Sequence, residues 1–150
     1  MTIQEAEKSD LPKILDLQYS AYQSEARLLD NPNIPPLKQT LEDVEKEFEK
    51  GTILKTVDEG GAIIGSVRAY SKDGTAYIGK LIVHPDLQGQ GIGTQLLKEI
   101  ERACPHTRYE LFTSTKSARN IRLYERLGYR VFEERAVSED LNFLYLEKIV

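Results

Sequence analysis

The chain has 150 residues, 40% hydrophobic and 29% charged, with 20 basic and 24 acidic side chains leaving a net charge of −4. That length fits one domain, residues 1–150, with an ordinary core, and an acidic balance without any lysine or arginine run works against binding a nucleic-acid backbone. A single cysteine excludes a disulfide framework, and neither of the two histidines has metal-binding spacing, so no metal site is expected. No apolar run nears the roughly 20 residues of a membrane span. The start, MTIQEAEKSD, is too acidic and polar for a signal peptide, so a cytosolic location is expected.

In chain order, Thr2 to Glu7 alternates weakly as a short strand. Ser9 reads as the N-cap of a helix with Pro12 in its first turn and an apolar face of Leu11, Ile14, Leu15, Leu17, Ala21 and Tyr22, running towards Leu28. The proline density of NPNIPP, between Asp30 and Lys38, predicts a loop, either a plain connector or the lining of a ligand cleft. Thr40 caps a second helix, with Asp43 in the capping-box position, Leu41, Val44 and Phe48 on one face and Gly51 at its end. Thr52 to Val57, Ala62 to Tyr70 and Thr75 to Val83 are strand-like runs joined by the turns Asp58-Glu59-Gly60-Gly61 and Lys72-Asp73-Gly74, which predicts an antiparallel meander. An amphipathic helix follows, with Ile92, Leu96, Leu97, Ile100 and Ala103 on its apolar face; Cys104 at its end reads as an inert structural thiol. Arg108 to Thr113 is a strand, Ser117 opens a helix with Ile121, Tyr124 and Leu127 on one face and Gly128 at its end, and two strands flank the Ser138-Glu139-Asp140 turn. This order predicts an α/β (α+β) fold: a mixed, mostly antiparallel sheet of six to seven strands with helices on both faces.

The strand ending at Val83 feeds the Ile92 helix through Gln88-Gly89-Gln90-Gly91-Ile92-Gly93-Thr94. Helix N-termini carry orphan N–H donors and about half a positive charge, and glycines let an anion, usually phosphate, reach the bare backbone. A P-loop would place lysine and then serine or threonine after its second glycine; here Thr94 follows Gly93 directly and no lysine is present. A dinucleotide fingerprint needs G-x-G-x-x-G in the first turn of a parallel βαβ unit. Thr94 stands in the third glycine's place, and the preceding strand ends a meander.

The pattern V-x-P-x-x-Q-x-x-G-x-G, carried by Val83, Pro85, Gln88, Gly91 and Gly93, resembles the pyrophosphate-binding signature of the GNAT superfamily of N-acetyltransferases. A second landmark is Ser117 to Tyr129, SARNIRLYERLGY, which resembles that family's later helix through Tyr124, Glu125, Gly128 and Tyr129. The family often has asparagine seven residues before the tyrosine; this chain has Ser117 there and Asn120 one turn on. The resemblance implies acetyl-CoA as cosubstrate and an amine as acceptor. Gln88, Gly89, Gln90, Gly91, Ile92, Gly93 and Thr94 would hold the pyrophosphate. Leu81, Ile82 and Val83 would pair with the pantetheine arm, an N–H of Ile82 or Val83 polarising the thioester. Asn120, or else Ser117, would bind the pantetheine region, and Tyr124 would give a proton to the departing thiolate.

Many family members place a glutamate early in the strand before the glycine loop, and none lies in Thr75 to Val83. Tyr77 stands there, so a water chain, a carboxylate from elsewhere or Tyr77 itself is left as the base. Arg68 is expected either as a solvated strand residue or, facing the acceptor cleft with Tyr70, as a carboxylate-recognition group. The missing carboxylate also keeps open a non-catalytic CoA-binding or regulatory module. Family analogy further suggests self-association as a homodimer through the terminal hairpin.

Overall fold

The computed structural model describes residues 1–150. Seven strands form one sheet: β1 (Thr2–Glu5), β2 (Thr52–Val57), β3 (Ile63–Lys72), β4 (Thr75–Val83), β5 (Arg108–Ser114), β6 (Arg130–Ser138) and β7 (Leu141–Ile149). Their order across the sheet is β1-β2-β3-β4-β5-β7-β6. Only β4 and β5 pair in parallel; the helix between them provides the crossover that a parallel pair requires. The expected meander is β2-β3-β4, and the turn into β4 has positive φ at both Asp73 (51°) and Gly74 (82°), as a two-residue hairpin loop demands.

Five helices cover the sheet: α1 (Leu11–Leu28), α2 (Pro35–Lys38), α3 (Leu41–Lys50), α4 (Ile92–Ala103) and α5 (Ala118–Arg126). Neighbouring residues of β2 point to opposite faces and enter different cores. Ile53 packs with Leu11, Ile14, Leu15 and Val44 beneath α1 and α3. Leu54 joins Val67, Ala76 and Ile78 beneath Leu96, Leu97 and Ile100 of α4, with Tyr124 of α5 in the same cluster. Helix α4 lies so close on β3 that a Cβ on Gly65 would sit 3.0 Å from Leu96 and 3.3 Å from Ile92. A side chain at Gly65 would oblige Leu96 and Ile92 to shift, so the glycine lets the start of the helix lie close on β3.

Local signals explain most boundaries. Thr40 caps α3: its hydroxyl accepts from the Asp43 N–H at 3.2 Å while Asp43 accepts from the Thr40 N–H at 2.9 Å. Helix α5 ends in a Schellman turn, with Tyr129 N–H bonded to Tyr124 C=O at 3.0 Å and Gly128 at φ 98°. Three expectations are corrected. Ser9 is not the cap of α1; it lies in a 3-10 turn, Lys8–Asp10, where Asp10 accepts from the Glu7 N–H at 2.8 Å, and Asp10 then precedes the helix. The proline segment is not all loop, because Pro35 and Pro36 occupy the first two positions of α2, where a missing N–H costs nothing. Strand β1 ends at Glu5 rather than Glu7.

Two buried tyrosines set a limit on alkaline stability. Tyr124 is 7% exposed and Tyr129 2% exposed, and burial raises both hydroxyls above the ordinary tyrosine range; the Glu101 carboxylate, accepting from the Tyr129 hydroxyl at 2.8 Å, raises it further. A raised folded-state pKa gives stability that is complete below the unfolded value and lost as pH climbs past it. The melting temperature should therefore hold from pH 7 to 9 and fall above about pH 10, the unfolded tyrosine value. A thermal melt series with Tyr129→Phe, which should flatten that fall, checks it; an equally steep fall in the variant would exclude Tyr129 as a cause.

Candidate functional site

Strands β4 and β5 pair over only three residues, Thr75↔Arg108, Ala76↔Tyr109 and Tyr77↔Glu110. Beyond them each strand keeps its outer partner: β3 continues along β4 to Val83, and β7 along β5 to Ser114. The inner edges of Ile78–Val83 and Leu111–Ser114 thus diverge with no strand between them, leaving backbone donors and acceptors along a wedge. A cavity of about 630 Å³ fills this wedge. Ile78 to Val83 form one wall and Leu111 to Ser114 another. Tyr22 and Glu25 of α1, Ile34 and Pro35 of the proline segment, and Ser117, Asn120 and Tyr124 close the rest. The proline segment is therefore a cleft wall rather than a bare connector.

Strand β4 carries a bulge. Ser66 pairs with Ile82 and Arg68 with Gly79, so Lys80 and Leu81 together oppose Val67, and Lys80 takes φ 51°. The extra residue switches the alternation: Ala76 and Ile78 enter the α4-side core before it, Leu81 and Val83 pack against that core after it. A non-glycine residue in the left-handed region costs on the order of 1 kcal/mol, and bulges beside sites are used to re-aim a strand. Burial lowers the Lys80 ammonium's pKa, Glu47 opposing.

At the mouth of the wedge a second cavity of about 390 Å³ is lined by Gln88, Gly89, Gly91, Ile92, Gly93 and Thr94, by Leu81 and Val83, and by Asn120, Arg119, Arg122 and Arg126. Gly89 and Gly91 have φ 82° and 83°, and Gly91 caps α4, whose first N–H groups face the cavity's glycine turn. The three arginines recur along α5 at three- and four-residue spacing, which puts them on one face. None forms an ion pair; Arg119 donates to Gln88 Oε1 at 3.1 Å. No carboxylate lines this cavity. In a chain of charge −4, three guanidinium groups without an ion pair thus gather beside a helix N-terminus, an arrangement whose charge suits an anion. The spacing of arginines in RNIRLYER was the sequence signal for them.

The residues singled out from sequence divide accordingly. Gln88, Gly89, Gly91, Ile92, Gly93, Thr94, Leu81, Val83 and Asn120 converge on the second cavity, with Ile82 in the wall of the first. Gln90 is exposed and lies outside both linings. Asn120 Nδ2 donates weakly to Thr113 Oγ1 at 3.4 Å, while the Ser117 hydroxyl donates to Glu25 Oε1 at 2.9 Å. Tyr124 is both core and cavity wall, and its hydroxyl makes no hydrogen bond to the protein. Burial, then the nearby Tyr22 and Glu25, hold that phenol protonated.

Arg68 and Tyr77 need correction. Arg68 is 5% exposed, so it is not solvated, and it does not line the cleft. Its position opposite Ile53 turns it beneath α1 and α3, where it donates to Glu47 at 2.5 Å, Gln39 at 3.0 Å and Gln18. Gln18 in turn donates to Pro36 O, so this buried network holds α1, α2 and α3 together under the cleft. Tyr77 lies in the paired half of β4, stacked on Tyr70 at 5.1 Å between ring centres, outside the cavity lining.

The architecture matches solved structures across nearly the whole chain. The ribosomal-protein-S18-alanine N-acetyltransferase from Escherichia coli superposes with a TM-score of 0.80 at 19% identity, covering 99% of this chain and 93% of that one. The structure of yncA from Salmonella typhimurium, described as a putative acetyltransferase with its cofactor acetyl-CoA, gives 0.75 at 22% identity over 99% and 93%. Among curated proteins, the UPF0157 protein YqkA of Bacillus subtilis (strain 168) is 25% identical over 140 residues, 93% of this chain; the chain spans 40% of that relative's length. The model of the acetyltransferase (GNAT) family matches residues 11–129, from the first residue of α1 to the Schellman turn after α5. That span holds both walls of the wedge, the glycine turn and the arginine face, and the chain belongs to the acetyltransferase (GNAT) family.

Proposed function

We propose that this protein moves an acetyl group from acetyl-CoA to a primary amine of a small molecule or peptide by direct attack. The observation that carries the proposal is the wedge between β4 and β5, which runs from a protonated, hydrogen-bond-free tyrosine to a glycine turn flanked by unpaired arginines. The cosubstrate supplies an activated acyl group on a thiol leaving group. The N–H groups of Gly89 to Thr94 and the guanidinium groups of Arg119, Arg122 and Arg126 fit a pyrophosphate. The bare edge of Leu81 to Val83 fits an amide-bearing arm lying as an added strand, with Asn120 beside it. A backbone N–H of Ile82 or Val83 polarises the carbonyl. Tyr124 donates its proton to the departing sulfur; burial keeps that proton in place at neutral pH.

The test is titration calorimetry with acetyl-CoA, followed by thiol release on adding a panel of amines. Saturable binding and amine-dependent release are expected. Binding without release on any amine would favour the non-catalytic CoA-binding module, the reading that the absence of a carboxylate from β4 supports; no binding at all would sink both.

A further inference from the structure

The acceptor's ammonium must lose a proton before it can attack, and β4 offers no carboxylate to take it. The larger cavity does. Among its lining residues Glu25 is the only carboxylate. It sits on the stripe of α1 formed by Ala21, Glu25 and Leu28, all of which face the cavity. Its position is fixed from across the cleft by the buried Ser117 hydroxyl at 2.9 Å, which leaves the remaining carboxylate lone pairs free. Ser117 also opens the helix that presents Tyr124, and the charge of Glu25 is felt at that phenol. The carboxylate and the proton donor thus share one chamber.

The walls around Glu25 limit what the amine is attached to. Leu28 of α1 with Leu29 just after it, Ile34 and Pro35, and Leu141 and Phe143 of β7 contribute apolar surface to the same cavity. A second charge placed against the buried part of this surface would lose hydration without gaining a partner. The cations in the lining are Lys80 on the β4 bulge, Lys116 and Arg119, and none of them pairs with Glu25, whose one side-chain partner is Ser117.

We propose that Glu25 binds the acceptor's ammonium and takes its proton, and that the acceptor is a primary monoamine on an apolar body. This rests on the acetyl-transfer reading above. The C–N bond forms as the C–S bond breaks. Of the two protons the nitrogen sheds, one leaves to solvent by way of Glu25. The sulfur receives one from Tyr124, which regains it from the second nitrogen proton. The products are an amide, a free thiol and one proton.

Steady-state acetylation of phenethylamine, spermidine and phenylalanine, with acetyl-CoA affinity measured in parallel, tests both parts. Phenethylamine should have the highest kcat/KM. Glu25→Gln should lower it about 100-fold, the ordinary scale of one proton-transfer group, with acetyl-CoA affinity unchanged and Glu25→Asp recovering part of the loss. Unchanged turnover in Glu25→Gln overturns the assignment of Glu25, and a preference for spermidine or phenylalanine overturns the apolar monoamine. If Glu25→Gln is unstable, Glu25→Asp alone decides: turnover equal to the parent overturns the assignment. Failure of the parent to bind acetyl-CoA would instead strike the proposed function beneath it.

Discussion

Gly91→Glu should weaken acetyl-CoA binding about a hundredfold while leaving a folded protein. Gly91 caps α4 at φ 83°, and a Cβ built there meets nothing within 4 Å, so the new side chain projects into open space at the cavity mouth instead of into the core. The left-handed backbone costs about 1 kcal/mol with any side chain, within what a domain of ordinary stability tolerates. The carboxylate then competes for the same N–H groups and arginines that the pyrophosphate would use. Losing two charge-assisted hydrogen bonds at about 1.5 kcal/mol each corresponds to about a hundredfold in affinity. Gly91→Ala separates the two effects: it carries the backbone strain without the charge, and calorimetry should find its affinity within tenfold of the parent. Equal affinity in Gly91→Glu would remove the glycine turn from the cofactor site.

Tyr124→Phe should lower kcat about 100-fold and leave acetyl-CoA affinity within about twofold, since the interaction lost is made only as the sulfur departs. The structure makes this substitution unusually clean. The Tyr124 hydroxyl has no protein partner, so deleting it orphans no donor or acceptor, and the ring stays packed in the α4-side core. The melting temperature should therefore be unchanged or slightly higher. A large drop in kcat with an unchanged melt assigns the hydroxyl to chemistry; unchanged kcat returns Tyr124 to a packing role alone. A parallel drop in stability would point instead to a hydroxyl that supports the fold.

Much of this arrangement is legible in the sequence. Strands and helices announce themselves where one face is apolar and the ends carry turn chemistry, as in Thr40 with Asp43 or Gly128 before Tyr129. The glycine turn is legible because Gly89, Gly91 and Gly93 alternate between a strand-like run and a helix-patterned one, and the structure gives Gly89 and Gly91 positive φ. What escaped depends on tertiary placement. Lys80 adopts left-handed geometry without being glycine, and periodicity read straight through β4 hides the change of face it causes. Arg68 reads from sequence as either a solvated strand residue or a carboxylate-recognition group at the cleft, because strand alternation cannot say that α1 and α3 cover that face with Glu47, Gln18 and Gln39. Glu25 gave no signal at all: the apolar spacing of α1 marks its core stripe, and the stripe facing the cavity is defined by β4, β5 and Ser117, distant in sequence.

The parting of β4 from β5 also leaves two strand groups, β1-β2-β3-β4 and β5-β7-β6, joined within the sheet by three residue pairs and beneath it by one shared core. With so short a junction, the pieces should breathe against one another more readily than either opens internally, and amide exchange along Ile78–Val83 and Leu111–Ser114 should be the fastest within the central strands. Any ligand that bridges the two edges would act as a staple, adding to folding stability in proportion to the logarithm of its concentration over its dissociation constant. Resistance to unfolding would then track the cellular supply of that ligand, and the protein's lifetime would carry a record of it.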